Sequence, residues 1–153
     1  MRILFDFHSN GQPYTADAVV ICCFDARTRL IVGEFLRRYD IVNPDMVVIA
    51  GGGLALSSPR TEFDRPFVLE QVQLAARLHR ARRVILMSHS DCATYGGLAK
   101  FDGDHAREMA HHGAELCRAS EVIKNTFPDL TVERVFLRFD SVLSVADEEC
   151  TEH

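Results

Sequence analysis

Three metal-binding side chains stand at the ends of two apolar runs. Cys23 closes Ala18-Val19-Val20-Ile21-Cys22-Cys23, and His89 and Cys92 follow Val84-Ile85-Leu86-Met87. Two thiolates and an imidazole make a ligand set that zinc accepts readily, and they leave a fourth position for water or a carboxylate. Such an open site is catalytic rather than structural. Asp25 follows Cys23 by two residues and can reach either the fourth position or the water that fills it. Arg27 decides between the two: a guanidinium paired bidentately with Asp25 keeps that carboxylate ionised and off the metal. The pair Asp25 and Arg27 is therefore the expected gate, and Zn2+ the expected cofactor. Two thiolates neutralise the charge of the ion, so its water is less acidic than at an all-histidine site. Activity should favour neutral to alkaline pH.

For Cys23 to meet His89 and Cys92, the two apolar runs must be neighbouring strands. The run 18–23 is continuously apolar, as in a strand buried on both faces. Its last two residues, Cys22 and Cys23, point to opposite faces, so only one of them can serve a given site. Ile31, Val32, Phe35, Leu36 and Tyr39 recur at helical spacing within Thr28 to Tyr39. Met46 to Ile49 reads as a second strand, Gly51 to Gly53 as a tight loop and Ser57 to Pro66 as a polar loop. Val68, Val72, Ala75 and Ala76 form one face of the next helix. A third strand covers Val84 to Met87. Met109, Leu116, Ile123 and Phe127 stripe a long helix that stops before Pro128, and Val132 to Leu137 gives a fourth strand. This alternation predicts an α/β fold with a mostly parallel central sheet flanked by helices. Ligands in such sheets bind beyond the carboxyl ends of the strands, where strand order reverses. If the first and third strands are neighbours, the H-x-x-C turn emerges beside Cys23.

With 153 residues, 47% of them hydrophobic, the chain suits one domain over 1–153. A net charge of −5 without a basic run gives no footprint for nucleic acid or an anionic membrane, so the expected partner is a small molecule. No apolar stretch approaches the ~20 residues of a membrane span, and Asp6 interrupts the N-terminus too early for a signal-peptide core. A cytoplasmic location is expected, where thiols stay reduced. Cys22 and Cys117 read as small core hydrophobes. Residues 1–17 are a candidate N-terminal arm, and 147–153, with Cys150 to His153, a frayed tail. His111 and His112 are adjacent on a helix and do not share a face, which argues against a joint metal role. Asp91 reads as a turn former. Gly51 to Gly53 matches neither a dinucleotide fingerprint nor a Walker pattern, so close backbone packing explains it better.

C-x-D-x-R followed by H-x-x-C, on strand ends of an α/β chain, resembles the β-class carbonic anhydrases from about Val19 to Leu98. The resemblance implies zinc held by Cys23, His89 and Cys92, with Asp25 and Arg27 as the dyad beside it. It further implies strand order 2-1-3-4 with an additional edge strand, and homodimers or larger homo-oligomers. The implied reaction is reversible hydration of carbon dioxide to bicarbonate by metal-bound hydroxide, which Asp25 orients. No one of His8, His79, His105, His111 and His112 is singled out to carry the proton to buffer. The chain also departs from the family. Val48-Ile49-Ala50-Gly51-Gly52 stands where Arg-Asn-Ala-Gly-Asn is common, and Ala93 where glycine usually follows the last ligand. The long helical arm of many members is reduced to about seventeen residues. These changes bear on the substrate pocket more than on the metal.

Two other readings stay open. A zinc-binding homologue could act on a related small molecule of the carbonyl sulfide or carbon disulfide type, or serve as a non-catalytic binding or regulatory protein. Cys23 and Arg29 also satisfy C-x5-R, the spacing of cysteine-dependent phosphatases. Asp25 inside that loop would repel phosphate, the intervening residues lack glycine, and His89 and Cys92 would be left unexplained.

Overall fold

The computed structural model describes residues 2–150. Its strands and helices are β1 (Ala18–Cys23), α1 (Arg29–Arg38), β2 (Pro44–Ile49), α2 (Leu54–Ser57), α3 (Asp64–Leu78), β3 (Arg83–His89), α4 (His105–Thr126), β4 (Thr131–Leu137) and β5 (Val142–Ser144). They build one sheet in the order β2-β1-β3-β4-β5. The first four strands run parallel, and β5 returns antiparallel to β4. The order reverses between β1 and β3, the expected switch point. There the chain leaves β1 at Cys23 and β3 at His89.

Alternation along β1 divides the core between the two faces of the sheet. Val19 and Ile21 pack with Leu56, Val68, Val72, Leu116 and Ile123 from α2, α3 and α4. Val20 and Cys22 point the other way, toward Val32 and Phe35 of α1. Cys23 follows the parity of Ile21 but lies past that core, in a small cluster with Cys92 and Tyr95. Three helices cover one face and the ten-residue α1 covers the other. Beside α1 the edge strand β2 leaves a groove of about 460 Å³ whose walls include Phe24, Val32, Leu36, Met46 and Val48.

Several expectations change. The loop expected over Ser57 to Pro66 is shorter, because α3 begins at Asp64 and holds Pro66 in its first turn. Backbone N–H groups there have no intrahelical acceptor, so proline is tolerated. The buried face of α4 keeps Leu116 and Ile123 of the expected stripe, with Phe127 against the core, but changes in its N-terminal half. Met109 is 40% exposed, while Glu108, His112 and Glu115 turn inward at spacings of four and three ahead of Leu116 and Ile123. Cys117 is no free core thiol, since it forms a disulfide with Cys150. β5 brings the chain back toward α4, and the two Cα atoms stand 5.3 Å apart. The expected frayed tail is thus tied down as far as Cys150. Glu148–Cys150 makes a 3₁₀ turn, and the buried Arg134 pairs with Asp147 at 2.6 Å. The rest of that tail, 151–153, lies outside the described residues. No described helix is long and apolar enough to cross a membrane.

Candidate metal centre

Cys23 ends β1, His89 ends β3, and the next turn carries Cys92. All three are buried, and their ligand atoms lie within 4.8 Å of one another. The two sulfurs are 3.9 Å apart. Nδ1 of His89 lies 2.8 Å from the Ser90 carbonyl, to which it can only donate. That bond leaves Nε2 as the free lone pair of a neutral ring. Nε2 is buried without any hydrogen-bond partner. An orphaned lone pair facing two sulfurs is unfavourable in a dry site unless an electrophile fills the space. The donor set, its closeness and this orphan all fit zinc.

The thiols are prepared for a cation. The Cys92 thiol donates toward Cys23 and draws its pKa down to about 4 against the effect of burial, helped by His89 and the backbone N–H groups of Asp25 and Gly51. Gly51 N lies 3.3 Å from that sulfur. Cys92 is pushed the opposite way, by the charge-bearing Cys23 and by burial. The pair therefore gives up its first proton readily and holds its second. Burial disfavours an imidazolium at His89, but Cys23, the Ser90 carbonyl and the charges of Cys23 and Asp25 outweigh it and raise its pKa. A proton and a metal ion therefore compete for the same lone pair, which makes metal uptake depend on pH.

Arg27 holds Asp25 from one side and Asp91 from the other. Its Nε donates to both Asp25 oxygens at 3.0 and 3.1 Å, and Nη2 donates to Oδ2 at 2.6 Å. Nη1 reaches Asp91 Oδ2 and Nη2 the Asp91 carbonyl, each at 2.9 Å. The Phe139 ring lies 5.1 Å below the guanidinium. These bonds hold the Asp25 carboxyl at about 2, so it is an acceptor at any working pH. Its Oδ2 stands 3.9 Å from His89 Nε2, at the rim of the cluster. Asp91 is a turn former, with φ +53° and Oδ1 accepting from Leu98 N at 3.0 Å. Gly52 explains the glycine run: φ is +55°, and a Cβ there would lie 2.4 Å from the Met87 carbonyl. Only glycine lets the loop pass that close to β3.

The histidines fall apart as a group. His112 is fully buried between Tyr95 and Phe136, and burial pushes it down to about 3. His111 lies beside Lys100, 3.5 Å away. The two form no metal pair. His79, at the C-terminal end of α3, meets Asp45 of β2 and Tyr14, and His105 lies 3.7 Å from Glu108. Cys23 groups with His89 and Cys92, which the C-x5-R reading leaves without a role.

Two supporting residues escaped the sequence. Glu108 accepts from Ser90 Oγ and Asp91 N, both at 2.6 Å. Glu115 accepts from Ser57, Ser58 and Arg118. Their legible signal was polar residues at helical spacing just ahead of an apolar stripe, the pattern of a buried polar face.

The family model described as "Putative carbonic anhydrase" matches residues 15–146. An uncharacterised protein of Rickettsia conorii is 24% identical over 131 residues, covering 84% of this chain and 70% of that protein. Tetrameric β-carbonic anhydrases from the filamentous ascomycete Sordaria macrospora share the fold, with a TM-score of 0.59 at 12% identity over 87% of this chain and 82% of theirs. A carbon disulfide hydrolase, in its apo form, gives 0.55 at 11% identity over 90% and 82%. These structures establish a shared fold, and the match over 15–146 establishes more: the chain belongs to that carbonic anhydrase family, as a divergent member with the β-class fold.

Proposed function

We propose that this chain is a zinc enzyme for the reversible hydration of carbon dioxide, with Cys23, His89 and Cys92 holding the ion and Asp25 and Arg27 beside its open position. One observation carries the reading: two buried sulfurs converge with an orphaned imidazole nitrogen, and a carboxylate already neutralised by arginine stands at their rim. Bound zinc would supply the Lewis acidity that makes water a usable nucleophile near neutral pH. The remaining work falls to the chain. Asp25, acceptor-only, orients a water through one oxygen while Arg27 keeps it from competing for the metal. Arg27 is itself fixed by Asp91, so the gate stands in one position. The groove between α1 and β2 reaches Cys23 and Asp25 with largely apolar walls, which suit an uncharged gas better than an ion.

A homodimer or larger homo-oligomer belongs to the same reading, because α1 alone covers its face of the sheet and Val48 and Phe24 are left half to two-thirds exposed. A cytoplasmic location belongs to it too, with the Cys117–Cys150 disulfide as its unusual element there.

Stopped-flow carbon dioxide hydration with metal-quantified protein tests the proposal. Wild type should hydrate the gas increasingly from neutral to alkaline pH, and Asp25→Asn should lose at least about a hundred-fold at unchanged zinc content. Full zinc occupancy with no hydration above buffer would overturn it. Val48 and Ile49, where the family commonly carries Arg and Asn, favour a second reading in which the substrate is carbon disulfide or carbonyl sulfide. Sulfide release in the same assay distinguishes the two.

A further inference from the structure

We infer that Glu108 is a positioning residue for the candidate metal centre, setting the turn that spaces His89 from Cys92. The inference rests on the zinc reading above. Glu108 lies in the first turn of α4 and is 1% exposed. A carboxylate is rarely buried so deeply without a task for each oxygen. Here Oε2 accepts the Ser90 hydroxyl and Oε1 accepts the Asp91 N–H, both at 2.6 Å. Those are the two residues between the ligands in His89-Ser90-Asp91-Cys92. The helix N-terminus, itself capped by Asp104 through Ala106 N and Arg107 N, favours a negative group at this place.

The turn is also held by Ser90 N to the Leu137 carbonyl and by Leu98 N to Asp91 Oδ1, and Glu108 adds the bonds that reach the two residues between the ligands from α4. Asp91 adopts a left-handed conformation, φ +53°, which a residue with a Cβ enters at an energetic disadvantage. The Glu108 bond to its N–H supports that conformation together with the Leu98 N–H on Asp91 Oδ1. Asp91 then anchors Arg27 through both its side chain and its carbonyl, and Arg27 holds Asp25. One buried carboxylate thereby braces both residues between the ligands, and through Asp91 the footing of the gate. Outer groups of this kind act on a metal by orienting its ligands.

The test compares Glu108→Ala, Glu108→Gln and Ser90→Ala with wild type. A glutamine can accept the Asp91 N–H and donate to Ser90 Oγ, so it should restore the turn. Zinc affinity by chelator competition should fall about ten- to hundred-fold in Glu108→Ala, much less in Glu108→Gln, and to an intermediate degree in Ser90→Ala. The Co2+ spectrum should change with the affinity. A metal-independent arm follows alkylation of Cys92, 1% exposed in the native fold, which should quicken in the same order in metal-free protein. If Glu108→Ala does not fold, Ser90→Ala and Glu108→Gln carry the comparison. Variants with wild-type affinity, cobalt spectrum and thiol protection, differing only in melting temperature, would overturn the role. Wild type that binds zinc but does not hydrate carbon dioxide would refute the proposed reaction and leave this inference intact. Wild type without zinc would refute the metal reading, and the alkylation series would still decide the turn.

Discussion

Both ends of the sheet carry a buried or half-buried cluster of acid and base, and the two are built on opposite plans. At the amino end, Asp45 accepts the Tyr14 hydroxyl at 2.7 Å and His79 Nδ1 at 2.8 Å. Tyr14 also packs on the imidazole, with centroids 4.4 Å apart. Each polar group there has a partner, and solvent reaches the ring. At the carboxyl end, the sulfurs of Cys23 and Cys92 share what charge they carry, and His89 Nε2 has no hydrogen-bond partner. The first cluster is complete in itself and pins the N-terminal segment to β2. The second gathers three buried donors that could hold a metal ion. Convergence of several donor atoms on one buried point, rather than the mere grouping of titratable residues, separates a candidate site from a clasp.

Substitution at each end should break that symmetry in different measures. The largest effect belongs to Cys92→Ala, which removes a ligand. Zinc affinity should fall by more than about a hundred-fold, beyond the loss that follows removal of an outer partner, as read by chelator competition.

Next comes the latch between α4 and the C-terminal turn. Cys150→Ser opens a covalent loop of sequence separation 33 and should lower unfolding free energy by about 2–4 kcal/mol in urea titration, with zinc content unchanged. Equal stability of wild type and variant under non-reducing conditions would show that the latch does not constrain the unfolded chain.

A smaller and pH-dependent effect is expected at His112. Burial, followed by repulsion from His111 and His89, pushes its pKa from 6.5 to about 3. Between those values the unfolded chain binds the proton and the folded chain does not. Stability from this residue is therefore complete above pH 6.5 and is lost as pH falls, by up to about 1.4 kcal/mol per unit. His112→Leu should remove that slope. The difference between the two proteins' urea midpoints across pH 4 to 7 is the measurement, and parallel curves would contradict the burial account.

The smallest effect belongs to the amino-end clasp. Tyr14→Phe removes an exposed hydroxyl that meets Asp45 and His79 and should shift the urea midpoint least of these variants, with zinc affinity unaltered. A change in zinc affinity would mean that the two ends are coupled and the contrast between them is wrong.

The sheet and the grouping of Cys23 with His89 and Cys92 were legible because continuous apolar runs mark doubly covered strands, and both segments fall where such runs stop. Period-two alternation alone sends Cys23 to the site and Cys22 to the α1 side. The C-terminal half of the α4 face was legible from hydrophobicity, through Leu116 and Ile123, and its N-terminal half was not. Glu108 is buried because Ser90 and Asp91 satisfy it, and those partners come from a loop 17 or more residues away. Cys117 and Cys150 meet only after β5 has paired with β4, a tertiary event that no local spacing announces. The start of α3 was missed because Pro66 reads as a loop ending, whereas a first-turn position accepts it.

Zinc-edge X-ray absorption on the purified, metal-quantified protein tests the central claim most directly. The account predicts one zinc per chain, two sulfurs at about 2.3 Å and the remaining light-atom ligands at about 2.0–2.1 Å, with one sulfur lost in Cys92→Ala. A closed four-sulfur shell, or a sulfur-free zinc shell that Cys92→Ala leaves unchanged, would contradict it.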